Sequence, residues 1–216
     1  MSLTVDVISD VVCPWCYIGK VKLQTAIEQF TKDNPTELAP TVRWHPFQLN
    51  PDLDANGVER AQYVSQKFGD RAASVYDRVK GVGLELGIEF AFDKIKRQPN
   101  TRKAHSLIAA CEGTELQEKM VQALFDAYFI QALDLTSDAV LEAIAVEVGL
   151  DQQATQDALY SSQALQRVQA ADTQAREMGV QGVPFFVFNG RLAVSGAQAP
   201  ETLVEAMKEA SADFSD

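Results

Sequence analysis

The feature that most restricts this chain is Cys13-Pro14-Trp15-Cys16, a C-x-x-C motif placed where an apolar strand meets a helix. Residues 3–8 are mostly apolar, and apolar side chains then recur at helical spacing from Ile18 to Phe30. A cysteine at a helix N-terminus lies where unpaired N–H groups and the helix dipole favour a thiolate. Two cysteines one turn apart can close a disulfide that an attacking thiolate reopens. The motif therefore predicts dithiol redox chemistry.

The size and charge of the chain exclude several kinds of partner. With 216 residues, of which 46% are hydrophobic, it can bury a core without structural disulfides. Its formal net charge is −11, and no cluster of lysine and arginine relieves it. We therefore expect neither nucleic acid nor a membrane surface as a partner, since both require a basic surface.

The N-terminus also bears on location. Met1 leads directly into the first strand, without the basic segment, apolar segment and cleavage site of a signal peptide. The sequence as it stands predicts a cytoplasmic protein, where stable disulfides are disfavoured.

The order of the predicted elements defines the architecture. The first strand and helix are followed by an alternating segment, 41–45, which completes a β-α-β unit. From about Val58 to Leu150 the patterns are almost all helical, which indicates a helical insertion. A helix over 164–178, a hairpin turning at Asn189-Gly190 and a last helix from Pro200 then give α-β-β-α.

Four segments of the chain resemble a known family: 10–19, which contains the C-x-x-C motif, 100–105, 179–186 and 195–198. The chain resembles the DsbA-like thioredoxin superfamily, in the branch of FrnE-type oxidoreductases, 2-hydroxychromene-2-carboxylate isomerases and kappa-class glutathione transferases. It is most similar to the FrnE-type proteins. The resemblance implies an α/β thioredoxin fold interrupted by an all-helical insertion domain. Residues 1–53 and 152–216 would form the thioredoxin-like domain, and 54–151 the insertion.

The motif assigns a role to each of its residues. Cys13, at the helix tip, is expected to be the exposed nucleophile of low pKa, and Cys16, one turn inside, the buried resolving thiol. Pro14 suits the first helical turn, where a missing N–H costs nothing. Trp15 is expected to be exposed beside Cys13 and to offer apolar contact to a substrate; a role in filling the core is the alternative.

A second site element is Val183-Pro184. The resemblance implies a cis peptide bond here, facing the C-x-x-C motif, and a cis bond before proline is uncommon in folded chains. The backbone of Val183 would then pair with an extended substrate beside the reactive sulfur. The alternative is a trans proline that opens an edge strand.

Three further residues are candidates for auxiliary roles. Asp6, within the first strand, could be a buried carboxylate that assists proton transfer to Cys16, or strand alternation could turn it to solvent. Asn100 and His105 match a segment that lies near the active-site cleft in related enzymes. The simpler interpretations, which we favour, are a helix cap and a hydrogen-bonded structural histidine.

A zinc site is the other common use of a C-x-x-C motif. Zinc in such a site has four ligands, and outside the motif only Cys111, His45 and His105 remain, none of them paired at ligand spacing. Cys111 lies on an apolar helix face and is most simply a buried hydrophobic residue. The sequence thus predicts no metal and no resident cofactor, with glutathione left open as a co-substrate.

Three functions compete. The leading hypothesis is a thiol–disulfide oxidoreductase acting on protein or small-molecule disulfides and thiols, as oxidant, reductant or isomerase. The second is a glutathione-dependent isomerase or transferase of the same branch. Those relatives typically carry serine at the position of Cys13 and an Asp-Arg pair where this chain has Ala197-Gln198-Ala199. The third is a non-catalytic interaction module. Relatives occur as monomers and as homodimers, and the sequence does not choose between them.

Overall fold

The computed structural model describes residues 3–36 and 38–212, and its elements follow the predicted order. The elements of the first β-α-β unit are β1 (Thr4–Ser9), α1 (Pro14–Asp33) and β2 (Thr41–Pro46). The elements between β2 and the last part of the chain are β3 (Val58–Glu59), α2 (Arg60–Phe68), α3 (Ala72–Glu85), β4 (Arg97–Gln98), α4 (Arg102–Ala110), α5 (Leu116–Phe129), α6 (Asp138–Val148) and α7 (Gln152–Tyr160), with short 3-10 turns at Gly69–Arg71 and Phe92–Lys94. The final elements are α8 (Ser162–Glu177), β5 (Phe185–Phe188), β6 (Leu192–Ser195) and α9 (Pro200–Ala212).

The main sheet has four strands in the order β2-β1-β5-β6. β1 and β2 are parallel, in a register that pairs Thr4 with Thr41 and Ser9 with Pro46. β5 is antiparallel to β1 and to β6. A parallel β-α-β unit joined to a β-hairpin is the α/β arrangement that the sequence predicted, and it places the end of β1 beside the start of β5.

Helix α1 carries the C-x-x-C motif at its N-terminus. It begins at Pro14, and Cys13 is the N-cap residue, with extended backbone angles and no side-chain cap. The helix ends at Asp33, and the side-chain amide of the C-cap residue Asn34 donates to the carbonyl of Phe30 at 2.8 Å. Leu23, Ala26 and Phe30 are buried on one face of α1, and the helix also packs against α9.

The inserted segment differs from the prediction in one respect. Within it, β3 and β4 form a second, two-stranded antiparallel sheet, so the expectation of an all-helical insertion is wrong at these residues. The strands are held by side chains that sequence patterns do not reveal: the buried Arg60 donates to Gln98 and to the hydroxyl of Tyr76. The proposed boundaries at 53/54 and 151/152 stay a prediction. Within the part of the chain that is described, no helix is both long and apolar enough to cross a membrane.

Candidate active site

The two motif cysteines lie at the junction of β1 and α1 as free thiols. The turn that presents them is closed by backbone bonds: the N–H of Cys13 donates to the carbonyl of Asp10 at 3.0 Å, and that of Cys16 donates to the carbonyl of Cys13 at 2.9 Å. Cys13 is 5% exposed and Cys16 is 1% exposed. Cys16 is buried as predicted, whereas the expectation of an exposed Cys13 is wrong in this dithiol form.

Burial is the main influence on the resolving thiol. It raises the pKa of Cys16 well above its ordinary value, and Cys13 raises it further through a hydrogen bond and through the charge it carries when ionised. Two groups act in the opposite direction: the backbone N–H of Asp10 and the hydroxyl of Ser9 lower the pKa of Cys16 by hydrogen bonding to its sulfur. Cys16 is therefore a protonated thiol, with two donors ready for its thiolate.

The segment Val183-Pro184 faces Cys13 from the start of β5. The peptide bond between the two residues is cis, as the resemblance implied. The Sγ of Cys13 donates to the carbonyl oxygen of Val183 at 3.6 Å. On the other side, a Cβ added at Gly19 would lie 2.9 Å from the Cγ of Pro184, so α1 and the proline ring are in direct contact. The Val183-Pro184 segment therefore borders both the Cys13 sulfur and α1.

Pro14 and Trp15 occupy the first turn of α1 and are both half-buried. Trp15 packs against the main core instead of standing free beside Cys13, so the expectation that it is exposed is wrong. The cause is the inserted segment: α3 packs on α1, and its Arg78 guanidinium lies 5.9 Å from the centre of the Trp15 ring. Sequence patterns around the motif contain no sign of this distant helix.

Asp6 points away from the dithiol. Val5 and Val7 belong to the same core cluster as Cys16, and strand alternation turns the Asp6 carboxylate to the other face of the sheet. There it accepts two hydrogen bonds from Arg43, at 2.8 and 2.7 Å, and one from His45 at 2.7 Å. Burial alone would raise the pKa of Asp6, but these bonds outweigh it and lower the pKa. The solvent-side alternative is the one observed, and the role in proton transfer to Cys16 is not supported.

The aspartate whose backbone contacts the motif is Asp10, which the sequence analysis did not select; its carbonyl accepts the N–H of Cys13. It is fully buried, and its Oδ1 accepts a hydrogen bond from Nε2 of His105 at 3.2 Å. Its Oδ2 accepts from the backbone N–H of Leu49 at 2.8 Å. His105 is thus a hydrogen-bonded buried histidine, the simpler of the two interpretations. A carboxylate directly after a buried strand was the available signal, but nothing local to Asp10 indicates its partners.

Asn100 organises the loops next to this pair. Its Oδ1 accepts from the backbone N–H of Arg102 at 3.0 Å, at the start of α4, and from Nε2 of Gln48 at 3.2 Å. Its Nδ2 donates to the carbonyl of Leu53 at 2.7 Å. The N-cap residue of α4 is Thr101, so Asn100 is not the cap favoured from the sequence; it lies one residue earlier and ties the start of that helix to the loop after β2. Among the residues that the structure describes, no group of three or more His, Cys, Asp or Glu side chains is arranged to hold a metal ion.

Comparisons with known proteins agree with this geometry. The family model of the DSBA-like thioredoxin domain matches residues 4–208. The uncharacterized protein YwbO of Bacillus subtilis is 26% identical over 215 residues, covering 97% of this chain and 98% of that protein.

Solved structures show the same fold. The probable DsbA oxidoreductase SCO1869 from Streptomyces coelicolor superposes with a TM-score of 0.86 at 24% identity, covering 98% of this chain and 91% of that chain. A 2-hydroxychromene-2-carboxylate isomerase gives 0.69 at 18% identity, covering 99% of this chain and 100% of that chain. The cytosolic disulfide reductase DsbM from Pseudomonas aeruginosa, solved with GSH, gives 0.60 at 17% identity, covering 98% and 96%. Since the family model spans nearly the whole chain, this protein belongs to the DSBA-like thioredoxin domain family.

Proposed function

We propose that this protein is a thiol–disulfide oxidoreductase that uses Cys13 and Cys16 as its redox couple. One observation carries the proposal: the sulfur of Cys13 lies at the N-terminus of α1 against the carbonyl of Val183, with Cys16 buried one turn beneath it. Membership of the DSBA-like thioredoxin domain family supports this class of reaction.

In the first step, the Cys13 thiolate attacks one sulfur of a substrate disulfide. The substrate S–S bond breaks, a mixed disulfide forms on Cys13, and one substrate thiolate leaves and takes up a proton from water. Cys13 is the N-cap residue of α1, at the positive end of the helix dipole. This end of the helix stabilises negative charge on the attacking sulfur.

In the second step, Cys16 resolves the mixed disulfide. Its thiol gives its proton to water and attacks the Cys13 sulfur, the mixed disulfide bond breaks, a Cys13–Cys16 disulfide forms, and the second substrate thiolate leaves and takes up a proton from water. Two electrons pass from the dithiol to the substrate. Because burial raises the pKa of Cys16, it is held as a thiol until the step that needs it. The hydrogen bonds from Asp10 and Ser9 then favour its thiolate.

The substrate would bind where the Val183 backbone borders Cys13, with the half-buried Pro14 and Trp15 on the helix side and Pro184 on the strand side. An extended segment of a protein disulfide or a small-molecule disulfide could pair with the Val183 backbone. The dithiol carries the electrons itself, so the proposal requires no resident cofactor. A thiol such as glutathione would act as a co-substrate, and the reduction potential decides the direction of turnover.

Insulin-disulfide reduction tests the proposal with three proteins: wild type, Cys13→Ser and Cys16→Ser. Both variants should lose turnover, and Cys16→Ser should accumulate a mixed disulfide on Cys13 that mass spectrometry detects. Equal activity in all three proteins would overturn the proposal and leave a binding module.

The same variants also test the second hypothesis, a glutathione-dependent isomerase, which is considered because the chain shares its fold with a 2-hydroxychromene-2-carboxylate isomerase. That reaction needs no resolving thiol, so turnover of a hydroxychromene carboxylate with glutathione that survives Cys16→Ser would favour it. We expect no such turnover, because in the proposed reaction the nucleophile is the Cys13 thiolate itself and not the thiol of glutathione.

A further inference from the structure

An exposed cation of α3 lies beside the first turn of α1. The guanidinium of Arg78 is 5.9 Å from the centre of the Trp15 ring, and that ring belongs to the second residue after Cys13. Among the residues that the structure describes, Arg78 has no carboxylate within ion-pair distance and no hydrogen-bond partner. The charge of Arg78 is therefore held next to the reactive turn by an aromatic ring alone.

The lysines of α1 that lie nearest to this turn have partners of their own. Lys20 forms an ion pair with Glu118 at 2.6 Å, and Lys22 donates to the carbonyl of Ala197 at 3.0 Å. The first turn of α1 contains no acidic residue that would compensate a neighbouring cation. Of these three cations, Arg78 is the one left to meet a charged group on a substrate.

The nearest acidic residue in the sequence, Asp77, precedes Arg78 on α3. Successive residues of a helix point about 100° apart, so these two side chains do not face each other. Asp77 instead lines a cavity together with Lys80 and Asp93, and Arg78 is not among the residues that line it. The charge of Arg78 is thus presented toward Trp15 and the solvent next to that ring.

This position suits recognition of a substrate that is bound at Cys13. In the proposed function, the substrate disulfide meets the Cys13 sulfur between the Val183 backbone and the first turn of α1. A substrate that extends toward the helix side from there reaches Trp15 and then the guanidinium of Arg78. A cation held on an aromatic ring keeps its N–H donors free, and a guanidinium offers them in the planar arrangement that a carboxylate accepts.

We propose that Arg78 is a specificity-determining residue that binds a carboxylate of the substrate, so that the enzyme prefers disulfides carrying a carboxylate near the reacting sulfur. This inference rests on the proposed redox function and names its substrate class. Glutathione disulfide and the disulfide of an acidic peptide share this chemistry. The net charge of −11 disfavours the approach of either one, which a cation beside the nucleophile offsets locally.

Two disulfide reagents of different charge test the preference by stopped-flow absorbance. Dithiobis(nitrobenzoate) has a carboxylate on each ring and dithiodipyridine has none, and attack by Cys13 on either reagent releases a thiol that is measured by its absorbance. Arg78→Gln should slow the reaction of Cys13 with dithiobis(nitrobenzoate) about threefold, as expected for losing an exposed ion pair. The rate with dithiodipyridine should stay within about 1.5-fold. A Cys13→Ser, Cys16→Ser double variant measures any contribution from Cys111.

The matched control is Arg71→Gln, which removes another exposed arginine from the 3-10 turn before α3 and changes the net charge equally. It should leave both rates within about 1.5-fold of wild type, since long-range charge effects are screened. Arg78→Lys keeps the positive charge and should retain most of the preference. In about 1 M salt, where the Debye length is about 3 Å, the difference between wild type and Arg78→Gln should shrink.

Two natural-type substrates distinguish the sources of the carboxylate. Glutathione disulfide and a cystine peptide with glutamate beside the cysteine each oxidise the dithiol, and alkylation followed by mass spectrometry measures the rate. Arg78→Gln should slow at least one of these reactions about threefold, and the one that slows more identifies the source. The same peptide with glutamine in place of glutamate is the control and should lose no rate in Arg78→Gln.

The proposal has clear contrary outcomes. Equal slowing with the charged and the uncharged reagent would give Arg78 a structural role through Trp15 and overturn the inference. The same would follow from an unchanged rate with dithiobis(nitrobenzoate), or from an equal effect of Arg71→Gln. Failure of the wild type to form the Cys13–Cys16 disulfide with any of these reagents would instead overturn the proposed function itself.

Discussion

The two histidines of this chain each pair with an aspartate, and the two pairs differ most in their access to water. On the outer face of the sheet, His45 Nε2 lies 2.7 Å from Asp6, and the side chains are 37% and 16% exposed. In the protein interior, His105 Nε2 lies 3.2 Å from Asp10, and the side chains are 2% and 1% exposed. Asp6 and Asp10 are only four positions apart, but Asp6 lies within β1 and Asp10 directly follows it, and their side chains differ in exposure to solvent.

The difference shows that a short contact distance does not by itself measure the importance of a contact. Water can solvate the partners of Asp6 if it is removed, and Arg43 is 45% exposed and free to take other positions. Removing Asp10 leaves His105 and the N–H of Leu49 without an acceptor inside the protein, which is costly. The looser, buried pair should therefore matter more than the tighter, outer one.

Replacing each carboxylate tests this comparison most strongly. Asp10→Ala should lower the free energy of unfolding by about 3 kcal/mol, the usual cost of breaking a buried pair. Asp6→Ala should lower it by about 1 kcal/mol or less, as for exposed pairs. Urea denaturation of both variants at neutral pH gives the two values. Equal losses would show that burial does not separate the pairs.

A second comparison concerns side-chain volume at two helix positions, one closely packed in α1 and one open in α3. Gly19→Ala should destabilise the protein by about 2 kcal/mol, because the new methyl group would lie 2.9 Å from Pro184 and 3.2 Å from Phe186. The rate of insulin-disulfide reduction should also fall, since the Val183-Pro184 segment borders Cys13. Thermal unfolding and the insulin assay measure the two effects.

The matched control for that variant is Gly81→Ala in the middle of α3, where an added methyl group meets nothing within 4 Å. There the change should stabilise the protein by about 0.5–1 kcal/mol, because alanine favours the helix over glycine. A stabilising Gly19→Ala would contradict the close approach of α1 to the proline ring.

The smallest expected effect is the pH dependence of the outer pair. The pKa of Asp6 is lower in the folded protein than its ordinary value of 3.8, so its stabilising contribution is complete above that pH. The contribution is lost as the pH falls through 3.8 toward the folded-state pKa. The stability difference between wild type and Asp6→Asn, about 1 kcal/mol or less at pH 7, should therefore shrink by pH 3. A difference that grows on acidification would reverse the sign of the pKa shift.

Much of the fold was predictable because its signals are local. The apolar strand before Cys13, the helical spacing after Cys16 and the turn at Asn189-Gly190 each specify one element, and the order of elements specifies the sheet. The pairing of β3 with β4 was missed, since each strand has only two residues and is held by side chains such as Arg60. The same limit applies to the site: Arg78, which covers Trp15, belongs to a distant helix.

The sequence by itself determined that a cysteine begins α1 and that a second cysteine follows one turn later, because helix starts and spacings depend on neighbouring residues. Only the tertiary structure decided that the Cys13 thiol donates to the Val183 carbonyl, and that Asp10 forms a buried pair with His105 while Asp6 pairs on the outer face of the sheet. The physical reason is that exposure to solvent and long-range hydrogen bonds depend on packed elements. The partner of Asp10 is 95 positions away, and no local pattern encodes it.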